Sequence, residues 1–236
     1  MLFRFIKAEA IKVASQYKLG PIFTPPIVAG TGGFRGVLGL PAATGGANWQ
    51  GGAVDPETGM LYVASVTSPS VGSLVHDPKR NAMDYFGSFA PGPAVPNQQG
   101  CPGVNPSVMG LPIIKPPYGR ITAYDMNKGE VAWQIANGDT PPAIKNHPKL
   151  AGLNIPRTGS TSHAGLLTTR TLLFEGEGDG GLPMFRALDK KTGQIVWETE
   201  IAAGPQTGLP MTYMHQGRQF VVFSAGGGPE IGRAHV

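Results

Sequence analysis

The sequence predicts an all-β chain built from repeated hairpins, and three observations lead there. The first is composition. There are 35 glycines and 23 prolines, yet 41% of the residues are hydrophobic. A disordered chain rich in glycine and proline is poor in apolar residues. Here the two occur together, which reads as many short strands joined by tight turns. The second is an internal repeat. Residues 121–133 read ITAYDMNKGEVAW and residues 185–197 read FRALDKKTGQIVW, so Asp125, Gly129 and Trp133 return as Asp189, Gly193 and Trp197. A weaker copy, AVDPETGMLYV, places Asp55 and Gly59 at the same separation. The third is a set of paired apolar runs. GLLTTRTLLFEG (165–176) breaks at Thr169-Arg170, and MTYMHQGRQFVVFSAGG (211–227) breaks at Gln216-Gly217.

Each repeat reads as a β-hairpin. A strand ends at the Asp, whose carboxylate accepts hydrogen bonds from turn N–H groups. The Gly supplies a positive φ, and the returning strand carries an aromatic able to lock one sheet onto the next. From residue 164, GLLTT, TLLFEG, MFRALD and QIVWETEI make four successive strands, the content of one propeller blade. ANWQGGAVDP, MLYVASV, GRITAYD and EVAWQIA make another, carrying a Pro/Gly/Ser-rich insertion at 67–117. The hairpin at 211–225 begins a third. An insertion of that length is a functional loop, a partner-binding arm or a tolerated mobile loop. Two blades and part of a third cannot close a ring, and the end sheets of such a stack are bare. The expected architecture is therefore a partial β-propeller over 20–228.

The flanks read differently. Phe3, Ile6, Ala10, Val13 and Tyr17 recur at helical spacing, and Gly20-Pro21 stops the pattern, so residues 3–18 are predicted as a short amphipathic helix within an N-terminal segment 1–19. Lys7, Glu9 and Lys12 break up any secretion-signal core. The last seven residues, EIGRAHV, match one translated frame of a common sequencing-adapter read. Residues 229–236 are expected to be a non-native tail, the alternative being a genuine polar one. Cys101 is alone, which excludes an internal disulfide, and it reads as an inert loop thiol. No apolar run approaches the ~20 residues of a membrane span. The net charge of +4 is scattered, which argues against a nucleic-acid partner.

Five segments carry a resemblance to a known family: GPIFTPP (20–26), LPAATGGANWQGGAVDPETGMLYVAS (40–65), PPYGRITAYDMNKGEVAWQ (116–134), NHPKLAGLNIPRTG (146–159) and GLPMTYMHQGRQFVVFSAGG (208–227). Together they resemble the pyrroloquinoline quinone (PQQ)-dependent dehydrogenases, the quinoprotein glucose dehydrogenase-like enzymes in particular. The resemblance implies an eight-bladed propeller with PQQ near its axis, of which this chain is a C-terminal fragment. It implies oxidation of a sugar or alcohol hydroxyl by hydride transfer to PQQ, with electrons passing to a quinone or cytochrome. Calcium or another divalent cation would polarise the cofactor carbonyl. The catalytic Asp and the metal ligands would lie in upstream blades, so no catalytic and no metal-ligating residue is assigned here and the fragment is expected to be inactive alone. The resemblance also implies a periplasmic location, for a parent enzyme that the sequence leaves free to be membrane-associated. The competing reading is a non-enzymatic propeller scaffold, for which the Asp–Gly–Trp hairpins alone would suffice.

The candidate cofactor-binding residues are Asn48, Trp49 and Asp179. The family's Asn at the place of Asn48 hydrogen-bonds PQQ, and an amide both donates and accepts. The glycines around it allow close backbone approach. The alternatives are a turn-forming role for Asn48 and blade packing for Trp49. Asp179, in FEGEGDGGLPMF, falls near a family Asp that contacts PQQ, though the glycine spacing departs from the family's pattern. Glu175, Glu177 and Asp179 alternate in a way that suggests calcium, but they lack a calcium-loop order and are read as solvated loop carboxylates. Gly226-Gly227-Gly228 has no following helix or Lys-Ser/Thr pair, so it is not a phosphate loop. Some glucose-oxidising relatives have a His where this chain has Gly228, which weakens the case for glucose. His76, His147, His163, His215 and His235 lack metal-ligand spacing. Trp133 and Trp197 are read as inter-blade packing.

Overall fold

The computed structural model describes residues 2–41, 45–76, 78–79, 82–89, 106–163, 165–178 and 181–226. Asp179, Cys101 and the tail 229–236 lie outside the described residues. In chain order the elements are helix α1 (Leu2–Ala14) and strands β1 (Val37–Gly39), β2 (Gly52–Asp55), β3 (Met60–Val66), β4 (Ser70–Val75), β5 (Phe86–Phe89), β6 (Ser107–Val108), β7 (Leu111–Pro112), β8 (Gly119–Asp125) and β9 (Glu130–Ala136). A single helical turn, α2 (Pro142–Lys145), precedes β10 (Leu166–Thr168), β11 (Leu172–Gly176), β12 (Met184–Asp189), β13 (Ile195–Glu200), β14 (Met211–His215) and β15 (Arg218–Val222). The chain is mostly β, as expected.

It forms two compact units. One comprises residues 1–45 and 68–115. In it β4 pairs antiparallel with both β1 and β5, β6 pairs with β7, and α1 lies beside β6. The helix is the one the apolar spacing predicts, ending at Ala14 instead of 18. Tyr17, just beyond it, is buried with Val71, and Val13 and Leu38 pack around them. The insertion at 67–117 is thus not structureless: it supplies β4 to β7.

The other unit comprises residues 46–67 and 116–236. It holds two four-stranded antiparallel sheets, β2-β3-β8-β9 (blade I) and β10-β11-β12-β13 (blade II), and the separate hairpin β14-β15. These are the two blades and the start of a third expected from sequence. The edge strand β10 lies against β2 and β3. Tyr62, Ile121 and Ala123 of blade I share one core with Leu166, Leu173 and Leu188 of blade II.

The hairpins form for the predicted reason. The Asp125 carboxylate accepts from the Asn127 and Lys128 N–H groups, and that of Asp189 accepts from Lys191 and Thr192. Asp55 accepts from the Glu57 N–H in the same way. Gly59, Gly129 and Gly193 all have positive φ, between 71° and 74°. The last hairpin turns through Gln216 and Gly217, both at positive φ, as a two-residue turn requires.

Candidate functional site

The two blades repeat to the residue. Across blade I one register row runs Ala53, Tyr62, Ala123, Trp133. Across blade II the matching row runs Leu167, Phe174, Ala187, Trp197. In both, the ladder slips just after the third member, between Ala123 and Tyr124 and between Ala187 and Leu188. The two indoles therefore hold equivalent positions.

Blade I meets blade II through a polar latch at the second blade's turn. The Trp133 indole N–H and the Tyr62 hydroxyl both donate to the Lys190 carbonyl, at 3.2 and 3.1 Å. The buried Lys190 ammonium reaches back to the Asp55 carboxylate at 2.5 Å and to the Thr169 carbonyl at 3.1 Å. The bond from Lys190, with another from Thr58, holds the Asp55 carboxyl below its ordinary range. Burial, reinforced by Asp55 and Asp189, pushes the Tyr62 phenol up to about 12. Gly193 sits at φ 74°, and a Cβ there would lie 2.8 Å from the Trp133 ring. Turn geometry and indole seat therefore make the same demand for glycine.

The candidate cofactor residues sit where the chain enters β2, an end strand of its sheet. The Asn48 carbonyl accepts from the Gly51 N–H at 2.8 Å in a tight turn. That turn leaves Asn48 exposed and Trp49 93% exposed. Counting back from the matched rows, Ser162 and His163 hold the corresponding places before β10. Ser162 is buried and His163 partly so. Asn48 and Trp49 are adjacent in sequence and both open to solvent. Asp179, the third candidate, lies outside the described residues.

A second polar cluster lies inside blade II. Arg186 is fully buried on β12. Its guanidinium contacts Glu175 at 3.3 Å, Glu177 at 2.7 Å and Glu198 at 3.0 Å. Glu198, on β13, is 39% exposed and is shared with Arg157, which also binds Asp139 at 2.8 Å. The other oxygen of Glu177 accepts from the Leu182 N–H and the Ser160 hydroxyl, and Ser160 is linked to Ser162. Burial, only partly offset by Arg186, raises the Glu175 carboxyl to about 7. Glu198 is lowered, chiefly by its bond from Arg186. Burial works against the Arg186 charge, but the carboxylates outweigh it and hold its pKa above the ordinary value.

This corrects the reading of Glu175 and Glu177 as solvated loop carboxylates, since both are buried and ion-paired. The signal that finds them is strand alternation. Leu173, Glu175 and Glu177 are two apart and share the face that Leu173 buries, and Arg186 and Leu188 do the same on β12. Gly176 and Gly178 alternate with the glutamates, so the same run also reads as a glycine-rich loop. Among the described residues no group of three His, Cys, Asp or Glu is arranged to hold a metal ion. No helix among them is long and apolar enough to cross a membrane.

Comparison with known proteins agrees with this repeat. Residues 2–221 match the PQQ family described as the glucose/ethanol/alcohol dehydrogenase β-propeller domain. The chain is 33% identical over 230 residues to the quinoprotein glucose dehydrogenase of Escherichia coli, covering 92% of this chain and 27% of that protein. It is 30% identical over 222 residues to the glycerol dehydrogenase large subunit of Gluconobacter thailandicus, covering 87% and 28%. The solved quinohemoprotein alcohol dehydrogenase of Pseudomonas putida superposes with a TM-score of 0.52 at 24% identity, over 81% of this chain and 24% of that one. The chain thus spans about a quarter of the length of the relatives it matches.

Proposed function

The chain belongs to the PQQ-dependent glucose/ethanol/alcohol dehydrogenase β-propeller family, and we propose that it supplies two blades and the start of a third to an enzyme that oxidises a sugar or alcohol hydroxyl. PQQ, when bound, supplies the hydride acceptor, and a divalent cation such as calcium would polarise it from ligands outside this chain. Electrons would leave to a quinone or cytochrome, in the periplasm. The observation that carries the reading is the pairing of the Asp–Gly–Trp blade repeat with an exposed, glycine-flanked Asn48-Trp49 at the entry to an end strand. A scaffold needs the repeat but not an uncovered amide and indole at that place.

The donor set suits such a ligand. PQQ is a flat polyanion with quinone oxygens. The Asn48 amide offers a neutral donor, and the exposed Trp49 ring offers a flat apolar face. In this reading these two residues, with Asp179, orient the cofactor and exclude water from one side of it. The hydroxyl proton would be taken by a base on another blade.

Substituting Asn48→Ala in the enzyme carrying this segment tests the assignment. Leaving a buried ligand oxygen unpaired costs about 1–3 kcal/mol, or roughly a five- to 150-fold weaker PQQ affinity. Titration with PQQ, followed by quenching of tryptophan fluorescence, measures it. Unchanged affinity would return Asn48 to a purely turn-forming role. No quenching even in the unsubstituted enzyme would favour the scaffold reading.

A further inference from the structure

The cluster around Arg186 contains more buried carboxylate than buried cation. Glu175 and Glu177 are both buried, and the one guanidinium between them is also bonded to Glu198. The two buried carboxylates are served unequally. Glu177 has both oxygens engaged, by Arg186, the Leu182 N–H and the Ser160 hydroxyl. Glu175 has one oxygen on Arg186 at 3.3 Å, and its other oxygen is buried with no hydrogen-bond partner among the described residues. A second buried negative charge sharing one cation is costly, and the group with the fewest donors is the one that is neutralised.

The surroundings leave little room for another remedy. Gly138, at φ 89° on the connection from β9 to β10, presses on the Glu177 carboxylate so closely that a Cβ would lie 2.8 Å from it. Among the described residues, the charged groups around Glu175 are Glu177 just beyond the end of its strand, Arg186 on β12, Glu198 on β13, and Arg157 with Asp139 on that connection. Arg157 is already committed to Asp139 and Glu198.

We propose that Glu175 is a proton-binding position inside blade II, and that loss of its proton loosens the contact between β11, β12 and the connection from β9 to β10 that meets Glu177 and Glu198. The proposal does not depend on the cofactor reading. The direction follows from linkage. The Glu175 carboxyl is raised from 4.5 to about 7 in the folded chain. Its contribution to stability is therefore fully present below about pH 4.5 and is lost as the pH rises through about 7.

The test uses the full chain and the isosteric, uncharged Glu175→Gln. In carbon-13 spectra of glutamate-labelled protein, one side-chain carboxyl should titrate near neutrality in the wild type and be missing from the variant. In urea unfolding, the ratio of wild-type to variant unfolding constants should rise by about tenfold per pH unit between pH 5 and 7 and then level off. Glu177→Gln, which removes the well-served carboxylate, should weaken the chain while leaving a neutral-range titration or shifting it downward. The proposal is overturned if every glutamate carboxyl titrates below pH 5.5, or if wild type and Glu175→Gln follow the same stability profile. The spectroscopic reading decides the matter even where unfolding is not cooperative, because it needs only the folded chain.

Discussion

Trp133 and Trp197 occupy the same register position in successive sheets, each opposite an alanine and each beside the same ladder slip. One is packed into a core and donates to the Lys190 carbonyl, and the other is 51% exposed. The difference is not in the tryptophans or in their own sheets. It lies in the next blade along the chain. Trp133 has the Asp189–Gly193 turn of blade II to sit on, whereas the described part of the third blade ends at a two-stranded hairpin. A blade of this repeat completes its packing with the turn of its successor.

The same comparison separates the parts of the joint that repeat from those that do not. Asp55 and Tyr62 of blade I, which grip Lys190, match Thr169 and Phe174 of blade II. Val63, Thr122 and Gln134 of blade I match Glu175, Arg186 and Glu198. The second row is a neutral stripe in one sheet and an ion cluster in the other. Aromatic packing is therefore the generic device, and the two charged features are local to this pair of blades.

The largest expected effect is at the buried ion cluster. Arg186→Met keeps the length of the side chain but leaves Glu175 and Glu177 buried without their cation. Breaking a buried pair in this way costs about 3–5 kcal/mol. The equivalent Thr122→Val in blade I removes only the hydroxyl that accepts from Gln134, and should cost no more than about 1.5 kcal/mol. Soluble yield and the urea midpoint at pH 7 compare them. Equal losses would mean that the two rows are energetically alike despite their charges.

The tryptophan pair comes next. Removing a large aromatic from a packed site costs about 3–5 kcal/mol, with a half-buried ring near or below the low end. Trp133→Ala should therefore cost about 2–3 kcal/mol, and Trp197→Ala, whose ring is half uncovered, clearly less, about 1 kcal/mol. If Trp197→Ala proves as damaging as Trp133→Ala, the exposed indole is seated on something in solution and the contrast between the joints disappears.

Much of this was legible in the sequence because hairpin chemistry is local. Asp125, Gly129 and Trp133 and their later copies fix turn, φ and aromatic within thirteen residues, and the observed strands fall where those positions require. The latch was not legible, because Lys190 meets Asp55 across 135 positions of chain and nothing near either residue announces the other. The Arg186 cluster was half legible: alternation along 173, 175 and 177 puts the glutamates on the core face, but their partner lies on the next strand. Asn48 and Trp49 stood out through their glycines, and the structure exposes both.

The smallest effect separates the latch from the packing around it. Asp55 is held below its ordinary range by Lys190 first and Thr58 second. A carboxyl lowered on folding contributes stability that is present above its unfolded value, near 3.8, and is lost as the pH falls through the folded one. Asp125, Asp189 and Glu198 are lowered too, so the acid limb of the whole chain mixes several groups. The difference between wild type and Asp55→Asn isolates one of them. The amide keeps the size of the side chain and an oxygen to accept from the Glu57 N–H, so the turn survives while the charge opposite Lys190 is gone. The variant should be less stable than wild type at pH 7. The gap should narrow as the pH falls below about 4, since the protonated Asp55 carboxyl and the amide that replaces it are then nearly equivalent. Stability profiles between pH 2.5 and 7 measure that gap. A gap that stays constant across the range would show that Asp55 acts through its turn hydrogen bonds and that Lys190 is held in place by its carbonyl contacts alone.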